Sequence, residues 1–335
     1  MISIVIPVYN SWDTVELLLR SLQKSIYKNF EVIIGDDASR TEKPKELLRR
    51  NLTIVRLPLN MGPAAARNVA AKKAKGKVLV FLDSDVTVYP DTLGNIAKKF
   101  TDDPDLTALT GVWDKHQRSH DFFPQFKALR DWSYWINERQ SDGYYYLFST
   151  RIAAIKRDVF VRLSGFNEAF RQMEDVEITY RIARRYAIIF APDVRVHHEF
   201  EGFAAVARKY FWRSFYWSRL WHVRRKFDPV ATTVWESLAA VSGVAVVLVL
   251  FLVFLSYLSD LGDLRYLGGS LGIFFLLHLF LVRKFLLFAY REKGAAFMLK
   301  SLLTGIALYC FIAAGSLYWI ISSYISTQIR LPRGK

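Results

Sequence analysis

The chain has 335 residues, 52% of them hydrophobic, with 46 Lys and Arg against 31 Asp and Glu and a formal net charge of +15. That length suffices for one α/β domain plus a second region. The single cysteine, Cys310, lies in an apolar run, which excludes an intrachain disulfide and a cysteine metal site.

The first half alternates strands and helices. Ile2–Pro7 reads as a buried strand. Val15, Leu18, Leu19, Leu22 and Ile26 then recur at helical spacing, with Asn10 or Ser11 as N-cap and Asp13 and Glu16 in the first turn. Phe30–Gly35 and Thr53–Leu57 are the second and third strands. Pro63 opens a helix that Gly76 closes. Lys77–Leu82 is the fourth strand. This order predicts an α/β fold built on a doubly wound, mainly parallel sheet. There is no internal repeat and no low-complexity linker.

The strands deliver polar loops to their carboxyl ends, where open α/β sheets bind ligands. The loop after the first strand is Pro7-Val8-Tyr9-Asn10, and the loop after the second is Asp36-Asp37-Ala38-Ser39. A carboxylate there can accept from a base N–H, and Tyr9 offers a stacking face. Asp36, Asp37 and Ser39 also suit a turn or the cap of the next helix. In Asn60-Met61-Gly62-Pro63, Gly62 permits close backbone approach and the helix N-terminus favours an anion, with Arg67 within reach of a phosphate. Asp83 and Asp85 follow the fourth strand as Asp83-Ser84-Asp85. Oxygen ligands at this spacing suit Mg²⁺ or Mn²⁺ holding a diphosphate.

A second group lies further on. Gly165-Phe166-Asn167-Glu168 is followed by Met173-Glu174-Asp175-Val176-Glu177 and a helix. Asp175 stands at that helix's N-terminus, where the dipole keeps a carboxylate ionised and able to act as a general base toward a hydroxyl. Capping is the simpler use of the same residue. His197 and His198 follow the run Ala187-Ile188-Ile189-Phe190, and either can complete a metal site with Asp83 and Asp85.

Phe203–Phe227 holds seven Lys or Arg, no Asp or Glu, and nine Phe, Tyr and Trp. Such a stretch can bind nucleic acid, but an apolar run begins soon after it. A helix in the lipid headgroup layer is therefore expected, with Arg213 as a contact for a phosphate-bearing lipid, and no nucleic-acid partner. Residues 237–259 and 301–329 are uncharged, and Tyr266–Val282 is a third apolar run containing His278. Three such runs predict spans at about 235–258, 264–285 and 301–326. No signal peptide precedes the first strand, so residues 1–202 are expected in the cytosol, 203–230 at the membrane surface and 231–335 in the bilayer. The link Asp260–Arg265 would face outward, and the link carrying Arg283, Lys284, Arg291, Lys293 and Lys300 would face inward. Three spans leave Arg330, Arg333 and Lys335 outside, against the charge rule; a re-entrant run would remove that conflict.

Together these segments resemble the family 2 glycosyltransferases, which have the GT-A fold. The carrying motifs are Ser3-Ile4-Val5-Ile6-Pro7-Val8-Tyr9-Asn10, Gly35-Asp36-Asp37-Ala38-Ser39, Asn60-Met61-Gly62 with Ala66-Arg67-Asn68, Asp83-Ser84-Asp85, and Gly165-Phe166-Asn167-Glu168 with Glu174-Asp175 and His197. They cover about residues 1–200. The resemblance implies that Tyr9 and Asp37 hold the nucleotide base, with Pro7 shaping the pocket and Asp36 beside it. Arg67 would sit near the base or the diphosphate. Asp83 and Asp85 would serve ribose and metal, His197 or His198 would add a metal ligand, and Asp175, next to Glu174, would be the catalytic base. Ala38 stands where the family has Gly, and Leu163-Ser164-Gly165 where it has Leu-Gly-Gly.

No Gln-x-x-Arg-Trp motif of processive synthases occurs, so addition of a single sugar is expected. The implied enzyme is an inverting, Mn²⁺- or Mg²⁺-dependent hexosyltransferase. It would use a UDP or GDP sugar and a lipid-linked acceptor at the cytoplasmic face of a prokaryotic plasma membrane. Transfer to polyprenyl phosphate itself is the nearest alternative. A processive synthase and a catalytically silent membrane scaffold come after it.

Overall fold

A computed structural model describes residues 1–43, 51–138, 144–224, 233–259 and 264–330. Arg225, Lys226 and Phe227 of the basic aromatic stretch, Asp260, Arg333 and Lys335 lie outside the described residues, as does the rest of the expected 225–230 segment. The chain divides into two units. One comprises residues 1–120 and 139–200, the other 121–138 and 201–335.

The first unit is built on β1 (Ile2–Val8), β2 (Phe30–Asp36), β3 (Leu52–Arg56), β4 (Val78–Leu82), β5 (Val86–Val88), β6 (Ala108–Trp113), β7 (Ile152–Lys156) and β8 (Ile188–His198). Their order across the sheet is β3-β2-β1-β4-β7-β6-β8-β5. Pairings β1–β2, β1–β4, β2–β3 and β6–β8 are parallel; β4–β7, β6–β7 and β5–β8 are antiparallel. The sheet is therefore mixed, with its parallel portion at the N-terminal end of the chain.

Two apolar layers cover it. On one face α1 (Trp12–Gln23) and α3 (Thr92–Asp102) pack Val15, Leu18, Leu22, Leu93 and Ile96 against Ile4 and Ile6. On the other, α2 (Pro63–Ala71), α5 (Arg157–Arg162) and α6 (Glu174–Ala183) pack against Val5, Ile33, Leu79 and Phe81. The alternation Ile4, Val5, Ile6 between layers is the two-residue period of a strand buried on both faces. The first helix stops before Ile26, which is 76% exposed. The Lys24 and Ser25 N–H groups bond back to Ser21 and Leu22 carbonyls, tightening the last turn into a chain reversal.

The strand order reverses between β1 and β4. From β1 the chain moves outward through β2 and β3, then returns to place β4 on β1's other side. The β1–β4 register ends at Val5, whereas β1–β2 continues to Val8. A crevice outside the carboxyl ends of such strands is where open α/β sheets take ligands.

The second unit holds α4 (Phe122–Ser133), a π-helical turn at Tyr134–Glu138, α7 (Phe203–Arg224), α8 (Val234–Ser259), α9 (Leu264–Lys293) and α10 (Ala295–Arg330). Residues 121–138 therefore do not belong to the unit formed by the rest of 1–200. Phe123, Phe126 and Leu129 of α4 are buried with Val282, Phe285 and Ala289 of α9. Among the described residues three helices, Val234–Ser259, Leu264–Lys293 and Ala295–Tyr324, are long and apolar enough to cross a membrane. The second runs on past Arg283 and Lys284, eight residues beyond the span expected from the apolar run alone. Ser242 and His278, both buried, meet at 3.0 Å between α8 and α9.

Candidate active site

Asp36 and Asp37 leave β2 into the interior. They are 2% and 3% exposed. Asp36 accepts from the Ser39 N–H at 2.9 Å and from Arg56 Nη1 at 3.0 Å. Asp37 accepts from Asn60 Nδ2 and the N–H groups of Met61 and Gly62, at 2.7–2.9 Å. A carboxylate offers about four acceptor sites, so three of Asp37's are spent fixing the loop that enters α2. Both residues thus hold the loops that follow β2 and precede α2. Tyr9 is 44% exposed and Pro7 is half-buried. Asn10 Oδ1 accepts from the N–H groups of Arg40 and Thr41, and Ser11 and Ser84 hydroxyls meet at 3.0 Å. The loops after β1, β2 and β4 are thereby tied together.

Arg67 is the centre of the arrangement. Its Nη2 donates to Asp83 Oδ1 at 2.6 Å and its Nη1 to Glu174 Oε1 at 2.7 Å. Its guanidinium carbon lies 5.6 Å from the Phe166 ring centroid. Arg67, expected near the base or the diphosphate, is 3% exposed and faces two carboxylates. The cause is local. Helix α2 is Ala-rich and sits so close to β2 that a Cβ on Gly35 would lie 2.1 Å from the Ala66 carbonyl oxygen. Arg67 consequently emerges inside the fold. Burial opposes its charge, yet Asp83 and Glu174 hold its pKa above the ordinary value. Burial pushes the Glu174 carboxyl up, Arg67 pulls it back, and Asp175 pushes it up again.

Asn68, the next residue, clamps the Gly165–Glu168 block. Its Nδ2 donates to the Phe166 carbonyl and to Glu168 Oε1, and its Oδ1 accepts from the Phe166 N–H. Gly165 has φ 68°, and a Cβ there would lie 2.5 Å from Asn68 Oδ1. Two adjacent residues of α2 thus bring the start of α6 to the end of β4. Asp175 is half-buried in the first turn of α6, its Oδ1 accepting from the Val176 N–H at 2.8 Å. Met173, the N-cap, is left-handed at φ 69°.

The two histidines diverge because neighbours on a strand point to opposite faces. His198 Nε2 lies 3.1 Å from Asp85 Oδ2. His197 Nε2 instead pairs with Glu199 Oε1 at 2.9 Å. Among the described residues no three His, Cys, Asp or Glu side chains converge as a metal cage. One carboxylate oxygen and one imidazole nitrogen are donor types that Mn²⁺ accepts, and Asp85 and His198 would be the residues to hold it. Their 3.1 Å separation is that of an ordinary hydrogen bond.

The end of β6 and the stretch after it add residues to the same edge. Trp113 lies against His198 and Phe200, with ring centroids 5.7 and 5.2 Å away. The Arg151 guanidinium carbon stands 3.3 Å over the Trp113 ring. Asp114, buried, accepts from Tyr89 Oη at 2.6 Å and meets His116 Nδ1 at 2.6 Å. Burial raises the Asp114 carboxyl, but those partners outweigh it and hold it below its ordinary range. The sequence signal for Arg151 is faint: a lone cation immediately before the apolar strand Ile152–Ile155.

Residues 3–164 match the glycosyl transferase family 2 profile. A relative described as an uncharacterized glycosyltransferase of Haemophilus influenzae is 28% identical over 191 residues, covering 54% of this chain and 62% of the relative. The poly(ribitol-phosphate) beta-N-acetylglucosaminyltransferase TarS of Staphylococcus aureus is 36% identical over 103 residues, 28% of this chain and 18% of TarS. The chain thus spans less than two thirds of these relatives' lengths. Among solved structures, a mannosyltransferase of Pyrobaculum calidifontis, determined with GDP-Man and Mn²⁺, covers 95% of this chain and 86% of its own. Its TM-score is 0.57 at 18% identity, which establishes a shared GT-A fold.

Proposed function

We propose that this chain, which carries a family 2 glycosyl transferase domain over residues 3–164, moves one sugar from a nucleoside diphosphate sugar to a hydroxyl of a lipid-linked acceptor, with inversion. The observation that carries the reading is the buried Arg67 bridge. It joins Asp83, at the donor side, to Glu174, the neighbour of Asp175, through contacts of 2.6 and 2.7 Å.

The residues divide the work. Tyr9 offers its exposed ring to the base, over a loop that Asp36 and Asp37 stiffen. Asp85 and His198 would hold the divalent cation, beside Asp83. When bound, that cation supplies positive charge to the diphosphate as leaving-group charge develops. Asp175 accepts the acceptor hydroxyl's proton, its ionised form favoured by the N-terminus of α6. Glu174 is a positioning residue in this scheme, because its carboxylate is committed to Arg67. The Pyrobaculum mannosyltransferase, with GDP-Man and Mn²⁺, supports the donor and metal classes. The three long apolar helices support a membrane location and hence a lipid acceptor.

The test uses the full chain in lipid nanodiscs. Mn²⁺-stimulated release of UDP or GDP is expected, falling at least 100-fold in Asp83→Asn and Asp175→Asn. No release from any UDP or GDP sugar in the presence of membrane extract overturns the reading. An alkali-labile sugar–phosphate product would replace the hydroxyl acceptor with polyprenyl phosphate.

A further inference from the structure

We infer that one face of α7 is a binding surface for anionic phospholipid headgroups, formed by Arg208, Arg213 and Arg219 around Trp212 and Tyr216. Such a surface is independent of the chemistry of transfer. The sequence pattern pointed to a headgroup helix and singled out Arg213. The structure shows which face is presented and adds two cations to it.

One side of α7 is already taken. Ser214 Oγ donates to the Ile312 carbonyl at 2.6 Å, and Ser218 Oγ to Ser316 Oγ at 3.1 Å. The Phe211 carbonyl oxygen lies so near Gly315 that a Cβ there would stand 2.1 Å from it. Phe211, Ser214 and Ser218 recur at i, i+3 and i+7, the spacing of a single helix face. Arg208, Trp212, Tyr216 and Arg219, at i, i+4, i+8 and i+11, form the opposite side, with Arg213 at its margin. Two helices in backbone contact cannot turn about their axes without a clash. The seam therefore keeps the cationic side outward.

That side carries charge without a partner. Helix α7 contains no Asp or Glu. Lys209 is bound to Glu201 at 2.5 Å. Arg208, Arg213 and Arg219 are exposed, and among the described residues no acid pairs with them. Unpaired guanidinium groups exclude hydrocarbon as their neighbour, and they suit phosphate oxygens.

The surroundings select lipid over a soluble polyanion. The Trp212 ring lies 6.5 Å from that of Tyr216 and 6.3 Å from that of Tyr318 on α10. Indole and phenol rings settle at the headgroup level of a bilayer. Leu317, Ile320 and Ile321 of α10, beside the seam, are also exposed. A soluble polyanion would cover the cations and leave those apolar side chains in water. A leaflet covers both, with phosphates on the guanidinium groups and acyl chains on Leu317, Ile320 and Ile321. A cation near an anionic surface contributes enough to favour an anionic over a zwitterionic neighbour about fivefold.

The experiment uses the full chain in nanodiscs containing either brominated phosphatidylglycerol or brominated phosphatidylcholine. The chain has 9 Trp, so the share of fluorescence quenching lost in Trp212→Phe reports the lipid beside α7. In the wild type, phosphatidylglycerol should quench that share at an about fivefold lower mole fraction, and the difference should shrink in high salt. Combining Arg208→Gln, Arg213→Gln and Arg219→Gln should abolish the difference, whereas the three Arg→Lys changes should keep it. Should the triple Gln variant not assemble, the three single variants carry the test, each losing part of the preference. Equal quenching by the two lipids in the wild type, or an undiminished preference in the Gln variants, overturns the inference. A preference shown only for a short-chain polyprenyl phosphate would assign the face to the acceptor, and binding of a labelled RNA without lipid preference would assign it to nucleic acid; either result also overturns it.

Discussion

Ala38 sits at φ 58°, where an L-residue's Cβ crowds its own backbone. The strain is about 1–2 kcal/mol, partly offset in a glycine variant by about 0.5–1 kcal/mol of extra unfolded-state entropy. Ala38→Gly should therefore raise stability by about 0.5–1 kcal/mol, read as a higher unfolding temperature in detergent. Arg67 presents the opposite case. Arg67→Met leaves Glu174 buried without its cation, which should cost about 3–5 kcal/mol. The deficit has a pH dependence whose sign is fixed. Burial already raises the Glu174 pKa while Arg67 pulls it back, so removing Arg67 raises it further. A carboxyl with a raised folded pKa favours the fold when protonated and opposes it as pH rises through that value. The gap between wild type and Arg67→Met should therefore widen between pH 5 and pH 8. A gap constant with pH would show that Glu174 is not what Arg67 stabilises. Adding Glu174→Gln should recover part of the loss at pH 8 and little at pH 5.

At the scale of elements, what was legible in the sequence was local. Strand runs such as Ile2–Pro7 and Lys77–Leu82 announce themselves by composition, and Asp83 and Asp85 follow from their place after β4. Arg67's partners are 16 and 107 residues away, and nothing local encodes such a bridge. Helix α4 is a second example. It lies between two sheet strands in sequence, yet its buried Phe123 and Phe126 pack with Phe285 of α9, a contact no local period signals. Helix α7 is a third. Its charge and aromatics predicted a helix in the headgroup layer; in the structure Arg208, Lys209, Trp212, Arg213 and Arg219 are exposed. Its other face is a small-residue seam against α10: Ser214 Oγ donates to the Ile312 carbonyl and meets Ser316 Oγ, both at 2.6 Å. A Cβ on Gly315 would stand 2.1 Å from the Phe211 carbonyl oxygen. Gly315→Ala must push the two helices apart, at about 1–3 kcal/mol. Gly305→Ala on the same helix meets nothing within 4 Å and should be neutral or gain up to about 1 kcal/mol from helix propensity. Thermal unfolding of the two variants side by side checks the seam; equal effects would refute it.

For the whole molecule, the deciding quantity is where charge falls between long apolar helices. Helices α8, α9 and α10 have 26, 30 and 36 residues, or about 39, 45 and 54 Å at 1.5 Å per residue, against a hydrocarbon core of about 30 Å. Each can therefore cross with ends to spare, and α9 carries its surplus at the C-terminal end. That end holds Arg283, Lys284, Arg291 and Lys293, where the Arg283 guanidinium lies 3.9 Å over the Phe280 ring and donates to the Phe280 carbonyl. The opposite end of α9 has Arg265 alone. Cations favour the cytoplasmic side, so Lys293 should be cytoplasmic and Leu264 external. Single-cysteine variants in a Cys310→Ser background test this with a membrane-impermeant maleimide. Leu264→Cys should label in right-side-out vesicles and Lys293→Cys only in inverted ones. The reverse pattern would place the basic link outside and remove the charge argument for a cytoplasmic catalytic unit. Labelling of both positions from one side would instead make α9 a helix that does not cross, leaving two spans and returning the basic tail to the side of the catalytic unit.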